Sequence, residues 1–456
     1  MSNTMSLKAR SLARVSLAGL LLALAPLGGA AQAQAPAAGV AVAVADDAVL
    51  SALRQAGHGD LRAVEALLAQ GGVQEGEKAL LEARRASAHL RFSEARRALA
   101  RYFALQDQNS ERAYLGHEIA AGIALLAGDY AAAARHADMQ LTLSEGRTED
   151  DIQNLHRMRD IGRQLAAIPP QAVETQGNGA AVSLVRDKVG LLRSPISVNG
   201  QVQEAVLDTG ANVSVVSASA ALRLGLRFME GETSIGNSVG GGVGIRMAVA
   251  DRLEIGGAVV RNVIFAVMDD AALDFPVPGG YKIDAILGLP VLRSIGRVEF
   301  NIGAKSLRVT PAPVASAQPA NLRVIGNAPY VVMSLGGVEL PIYFDTGANS
   351  TSLYPPFAAL APALQAVPDE KKTSQAGVGG VQKIQNMFFQ NVPVAIGQQS
   401  ATVARIDYRP GGSGDKERPY GVLGIDVLSR FESFAIDYQN MVLEVGNPVA
   451  PQTASR

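Results

Sequence analysis

Between Asp46 and about Ile168, apolar residues recur every three or four positions, as in "DLRAVEALLAQG" and "FSEARRALARYFAL". That spacing gives a helix one continuous apolar face, so it predicts a helical region. No proline interrupts the stretch before Pro169. Three segments echo one another: "GDLRAVEALL" from Gly59, "LRFSEARRAL" from Leu90 and "GDYAAAARHA" from Gly128. Their Leu61, Phe92 and Tyr130 stand 31 and 38 positions apart. Irregular helical hairpins or an ordinary helical bundle would both satisfy this pattern.

The period changes after "IPPQAVETQGNGA" (168–180), where Pro169, Pro170, Gly177 and Gly179 break the helical pattern. From Val182 onward the chain runs in short Val/Ile/Leu stretches divided by Gly, Asn and Pro, such as "SPISVNGQVQEAVLD" and "GRVEFNIGAKSLRVT". These predict strands, with "VNGQ" and "IGGA" as hairpin turns.

The second half of this region repeats the first. "SVNGQVQEAVLDTGAN" matches "SLGGVELPIYFDTGAN", "SVGGGVG" matches "QAGVGGV", "DAILGLPVL" matches "YGVLGIDVL", and "RVEFNIGAKSLRV" matches "SFAIDYQNMVLEV". The offset holds at 136–137 residues throughout. A Pro/Ala-rich "TPAPVASAQPA" lies between the copies. The expected order is therefore a helical domain over 46–168, a linker over 169–181, a β lobe over 182–310, a linker over 311–320, a second lobe over 321–449 and a tail over 450–456.

The N-terminus adds a destination. Lys8, Arg10 and Arg14 precede an apolar run from Val15 to Leu27, and Ala31-Gln32-Ala33 forms an A-x-A cleavage pattern. This reads as a secretory signal peptide over 1–33, cut after Ala33, followed by a tether over 34–45. A retained N-terminal anchor is the alternative. The absence of cysteine excludes a disulfide framework and thiol catalysis, and with export it fits a periplasmic or secreted protein. No later segment reaches the apolar length of a membrane span. Net charge is −1, so no overall field favours nucleic acid.

The repeated "DTGAN" carries the chemistry, with Asp208 and Asp345 137 positions apart. A carboxylate at the end of a buried strand is costly unless hydrogen-bonded or paired. Gly210 and Gly347 let the backbone turn amide groups onto it, and Thr209 and Thr346 can lock the two loops together. Two lobes packed about a pseudo-twofold axis would bring Asp208 and Asp345 face to face. Sharing one proton, the pair could activate a water and protonate a carbonyl oxygen, which hydrolyses a peptide without metal or cofactor. All five histidines (His58, His89, His117, His136, His156) fall in the helical region, on what read as solvated positions, which argues against Ser-His-Asp catalysis or a His-based zinc site in the β region. "GGGVG" is not followed by the lysine and helix of a phosphate-binding loop. Asp284 and Asp426 sit at different offsets and read as structural or surface groups.

Residues 182–447 resemble clan AA aspartic peptidases, with two retropepsin-like lobes fused in tandem as in pepsin-like enzymes. The resemblance rests on Asp208-Thr209-Gly210-Ala211 and Asp345-Thr346-Gly347-Ala348, and on Ile286-Leu287-Gly288 and Val422-Leu423-Gly424. It implies an all-β bilobal fold of closed barrels behind the all-α region. It also implies an aspartic endopeptidase with catalytic Asp208 and Asp345, and Gly288 and Gly424 supporting the active-site loops. Gly240, Gly241 and Gly242, and Gly377, Gly379 and Gly380, fall where the family carries its flap, although neither cluster includes the tyrosine of a pepsin flap. Ala211 and Ala348 replace the Ser or Thr that pepsins carry there, which implies a dyad titrating higher. More loosely, the helical region is similar to tetratricopeptide-like hairpins, which would offer a surface to a protein partner. A non-catalytic peptide-binding or adaptor protein is the competing function.

Overall fold

Seven helices follow one another: α1 (Ala48–Ala56), α2 (Arg62–Gln70), α3 (Glu75–Ala88), α4 (Phe92–Ala104), α5 (Ser110–Ala127), α6 (Tyr130–Thr142) and α7 (Glu149–Leu165). The computed structural model describes residues 15–17, 47–106, 109–175, 179–231, 233–236, 242–275, 279–310, 315–316, 318–369, 373–377, 380–384, 387–410 and 418–449. The helix ends follow local chemistry. Asp47 caps α1 by accepting from the Val49 and Leu50 amides at 3.0 and 3.2 Å, and Thr148 and Asp151 form a capping box on α7. The echoing Leu61, Phe92 and Tyr130 mark the starts of α2, α4 and α6, so each echo opens every second helix. Inside the array Arg84 and Glu118 form a buried ion pair at 2.7 Å.

The histidines correct the sequence reading, since all five are half-buried rather than solvated. His117 and His136 have their Nδ1 atoms 3.0 Å apart, with Phe103 stacked on His117. Burial, then the neighbouring His136, holds His117 down at about 4. Helical spacing alone hid this contact because the two rings come from different helices. Among the described residues no group of three or more His, Cys, Asp or Glu is placed to hold a metal ion.

Two β lobes follow. In lobe 1 the strands β1 (Leu192–Val198), β2 (Gln201–Asp208), β3 (Ser214–Ser217), β4 (Gly242–Ile255), β5 (Ala258–Met268) and β6 (Ala285–Gly288) pair in the ring β1-β2-β6-β3-β5-β4, and β4 closes back on β1. Lobe 2 repeats it with β7 (Ala328–Leu335), β8 (Val338–Phe344), β9 (Ser352–Leu353), β10 (Met387–Ile396), β11 (Gln399–Tyr408) and β12 (Gly421–Leu423), in the ring β7-β8-β12-β9-β11-β10. Each is a closed six-stranded barrel, which leaves no barrel edge unpaired. The turns predicted by "VNGQ" and "IGGA" are two-residue hairpins with both central residues at positive φ: 49° and 83° at Asn199-Gly200, 55° and 86° at Gly256-Gly257.

A further five-stranded sheet joins the lobes, in the order Val442–Val445, Ser433–Asp437, Arg297–Asn301, Ser306–Thr310, Val182–Ser183. Phe300 of the first lobe pairs directly with Phe434 of the second, their rings stacked at 4.4 Å. Val15–Leu17 forms a short strand parallel to Ser374–Ala376, and the rest of the expected signal peptide and tether lies outside the described residues. Among the described residues no helix is long and apolar enough to cross a membrane.

Candidate active site

Strands β2 and β8 end on Asp208 and next to Asp345, and both residues are wholly without solvent exposure. In each loop the backbone turns back on the carboxyl. Gly210 and Ala211 donate to Asp208 Oδ1 at 2.8 and 3.0 Å, and Gly347 donates to Asp345 Oδ1 at 2.8 Å. Oδ2 of each receives no hydrogen bond from the surrounding scaffold.

The loops interlock through their threonines. The Thr209 amide donates to Thr346 Oγ1 and the Thr346 amide to Thr209 Oγ1, both at 3.0 Å. Each hydroxyl also donates across the lobe boundary, Thr209 to the Phe344 carbonyl at 3.0 Å and Thr346 to that of Leu207 at 2.7 Å. Four buried bonds thus fix one lobe's loop against the other's. The glycines allow a still closer approach: a Cβ added at Gly210 would stand 2.6 Å from the Asp345 carboxyl carbon, and one at Gly347 would stand 2.3 Å from that of Asp208. Each carboxyl therefore lies over the opposite lobe's glycine, and the pair faces itself across the pseudo-twofold axis.

Burial first, then the Asp345 charge, pushes Asp208 well above the usual carboxyl range. Burial also raises Asp345, against the pull of Arg418 and the loop amides. Two carboxyls so enclosed hold one proton between them in preference to two charges.

Gly288 and Gly424 pack tightly against the two aspartate loops. Gly288 pairs in register with Asp208, and a Cβ there would meet the Ala211 carbonyl at 2.6 Å. Gly424 is equally tight against the Ala348 carbonyl, at 2.8 Å. Two hydroxyls that sequence reasoning missed hold these glycines: the Gly288 amide donates to Ser214 Oγ at 3.1 Å and the Gly424 amide to Thr351 Oγ1 at 2.9 Å. Both stand six residues after their aspartate, so the repeat itself carried that signal. Asp426 accepts from the Thr351 amide and hydroxyl at 2.8 and 2.7 Å and is structural, whereas Asp284 is partly exposed and ion-paired with Lys282.

Of the six glycines assigned to flaps, Gly242, Gly377 and Gly380 lie in antiparallel strand pairs. Gly242 pairs with Gly236 and Gly377 with Gly380, while Gly240, Gly241 and Gly379 lie outside the described residues.

The helical region packs on the carboxyl-bearing faces of both lobes. Side chains alternate along a strand, so Val206 shares a face with Asp208, and Tyr343 with Asp345. The opposite faces, with Leu207, Leu287, Phe344 and Leu423, fill the barrel cores. On the carboxyl-bearing face of lobe 1, Val206, Ala211 and Ile286 form one hydrophobic cluster with Ile161, Leu165 and Ile168 at the end of α7 and just beyond it. On that of lobe 2, Tyr343, Ala348 and Val422 join the core of α1–α5. The approach is direct, since a Cβ at Gly59 would collide with Tyr330 at 2.8 Å and one at Gly122 would lie 3.2 Å from Gly326 Cα. Sequence reasoning placed the helices before the lobes but gave no sign of where they dock.

Residues 194–291 match the family model described as "Aspartyl protease". No curated protein matches the chain. Among solved structures, a retropepsin-like aspartic protease from Rickettsia conorii aligns with 30% of this chain and 90% of its own, at 16% identity and a TM-score of 0.20. Basic 7S globulin from soybean aligns with 59% of this chain and 94% of its own, at 11% identity and a TM-score of 0.36.

Proposed function

Starting from an aspartyl protease domain in lobe 1 and its repeat in lobe 2, we propose that this chain is an exported aspartic endopeptidase that cleaves peptide bonds with a water activated between Asp208 and Asp345. The observation that carries the reading is the reciprocal seating of each carboxyl over the other lobe's glycine, which leaves both Oδ2 atoms to a shared proton and a water. The ionised member takes a proton from the water as it attacks, and the protonated member donates to the carbonyl oxygen. The helical region occupies the side from which a peptide would approach, so the described state is a closed one, and hydrolysis requires that region to move off the carboxyl-bearing faces. Export is supported by the basic, apolar and small-residue order of the first 33 positions.

The enclosure of the dyad also favours a second reading, a peptide-binding or adaptor protein in which the helical region meets a protein partner. Hydrolysis of a mixed peptide library by the purified protein, blocked by a statine-type peptide and lost in Asp208→Asn, supports the peptidase. Binding of peptides without turnover, equal in parent and Asp208→Asn, supports the adaptor.

A further inference from the structure

The two lobes differ where a charge matters most. Aligned on Gly288 and Gly424, Lys282 of lobe 1 corresponds to Arg418 of lobe 2. The Lys282 side chain is 43% exposed and ion-paired with Asp270 at 3.4 Å and Asp284 at 3.2 Å. Arg418 turns inward instead: it is 5% exposed, and its guanidinium carbon lies 4.3 Å from the centre of the Tyr343 ring.

That ring is part of the site. Tyr343 stands two residues before Asp345 on the same strand face, about 7 Å along β8. Its hydroxyl donates to the Gly210 carbonyl at 3.2 Å, and Gly210 is the glycine against which the Asp345 carboxyl rests. Lobe 1 has Val206 in the equivalent place, which offers no ring to seat a cation. A buried guanidinium is costly unless a negative charge compensates it, and the dyad carries one.

We propose that Arg418 is a positioning residue that makes the two carboxyls unequal: seated on Tyr343, it keeps the negative charge on Asp345 and leaves the shared proton on Asp208. This rests on the peptidase reading and gives the reaction a direction. Asp345 takes a proton from water as the water oxygen bonds to the carbonyl carbon, and Asp208 gives its proton to the carbonyl oxygen. In the collapse the C–N bond breaks, the leaving nitrogen takes the proton from Asp345, and Asp208 regains one from the diol hydroxyl. Among the titratable groups, Asp208 faces Asp345 across the axis, Arg418 and Tyr343 flank it, and Tyr330 lies edge-on to Tyr343 at 5.7 Å; on the helical side Asp60 and Arg62 act on Tyr420, two residues after Arg418. The opposing pull of Arg418 on Asp345, with none of the same rank on Asp208, agrees with this arrangement.

The test is the pH dependence of kcat/KM in the full chain for parent, Arg418→Met, Arg418→Lys and Lys282→Met, together with a 13C titration of the aspartate carboxyls, which needs no turnover. Arg418→Met should raise the acid limb by about one pH unit or more, the range expected on losing a close opposite charge. Arg418→Lys should recover most of the shift, and Lys282→Met should leave the limb unchanged. Should Arg418→Met fail to fold, Tyr343→Leu removes the seat and should shift the limb the same way. An acid limb and an Asp345 carboxyl titration that ignore Arg418→Met or Tyr343→Leu would overturn the proposal. Absence of hydrolysis in every protein counts against the peptidase reading alone, because the carboxyl titration still decides the role of Arg418.

Discussion

Gly122→Leu tests whether the helical cover limits access to the dyad. Gly122 lies in the middle of α5, where a Cβ would be 3.2 Å from Gly326 Cα and 3.7 Å from its amide nitrogen. Backbone at that distance can yield a few tenths of an ångström to a methyl but has no room for a leucine. Within α5 the change favours the helix by about 1 kcal/mol, since glycine is a poor helix former. Against lobe 2 it overpacks a tight contact, which costs about 1–3 kcal/mol. The cost falls on the docked state and not on either part alone, so the balance between closed and open forms moves by about 5- to 150-fold. Hydrolysis of a fluorogenic peptide by the full chain should rise in that proportion, while hydrogen exchange at Tyr343 and Ala348 speeds up to match. Faster exchange with unchanged or reduced kcat/KM would refute the idea that the cover restrains the site.

Asp208→Asn and Asp345→Asn should each abolish hydrolysis without loss of fold, and wild-type turnover in either variant would exclude the two-carboxyl mechanism. Thr209→Val keeps the shape but leaves the Thr346 amide and the Phe344 carbonyl unpartnered; at about 1–3 kcal/mol each, urea unfolding should show a loss of about 2–6 kcal/mol, with Thr209→Ser losing about 1 kcal/mol or less. Both dyad carboxyls are raised above the ordinary aspartate range by burial, so the fold binds their proton more tightly than the unfolded chain does. Their contribution is therefore fully present below about pH 4 and is lost as pH rises through the raised values. Asp208→Asn should accordingly unfold at higher temperature than the parent at pH 7, with the gap closing towards pH 4, and a gap constant across that range would contradict the assignment.

The sequence made the architecture legible where one residue pattern has one physical solution. Period-two runs separated by Asn-Gly and Gly-Gly leave little but hairpins, and a repeat at a fixed offset gives two equivalent lobes. The dyad was legible because Asp208 and Asp345 recur with their glycines and supporting Leu-Gly elements. Tyr343 and Arg418 were not, since neither is repeated and their significance depends on a ring and a guanidinium meeting. The docking of α7 on lobe 1 was hidden for a related reason. Ile161 and Leu165 continue an ordinary apolar helix stripe, and nothing in that stripe tells a helix partner from a β lobe.

The shared five-stranded sheet and the short linker have a consequence for how the site persists on dilution. Half-sites on separate chains would meet only above the dissociation constant of the pair. On one chain, joined through residues 311–320 and paired strand to strand at Phe300 and Phe434, they meet at an effective concentration in the millimolar range or above. Turnover should stay proportional to protein concentration down to the detection limit. Fusion also releases the copies from sameness. In a symmetric dimer every substitution appears twice, so no residue could favour one aspartate over its twin. Here Val206 can stand in one lobe where Tyr343 stands in the other, and Lys282 can remain in solvent while Arg418 is buried, because each position is encoded once.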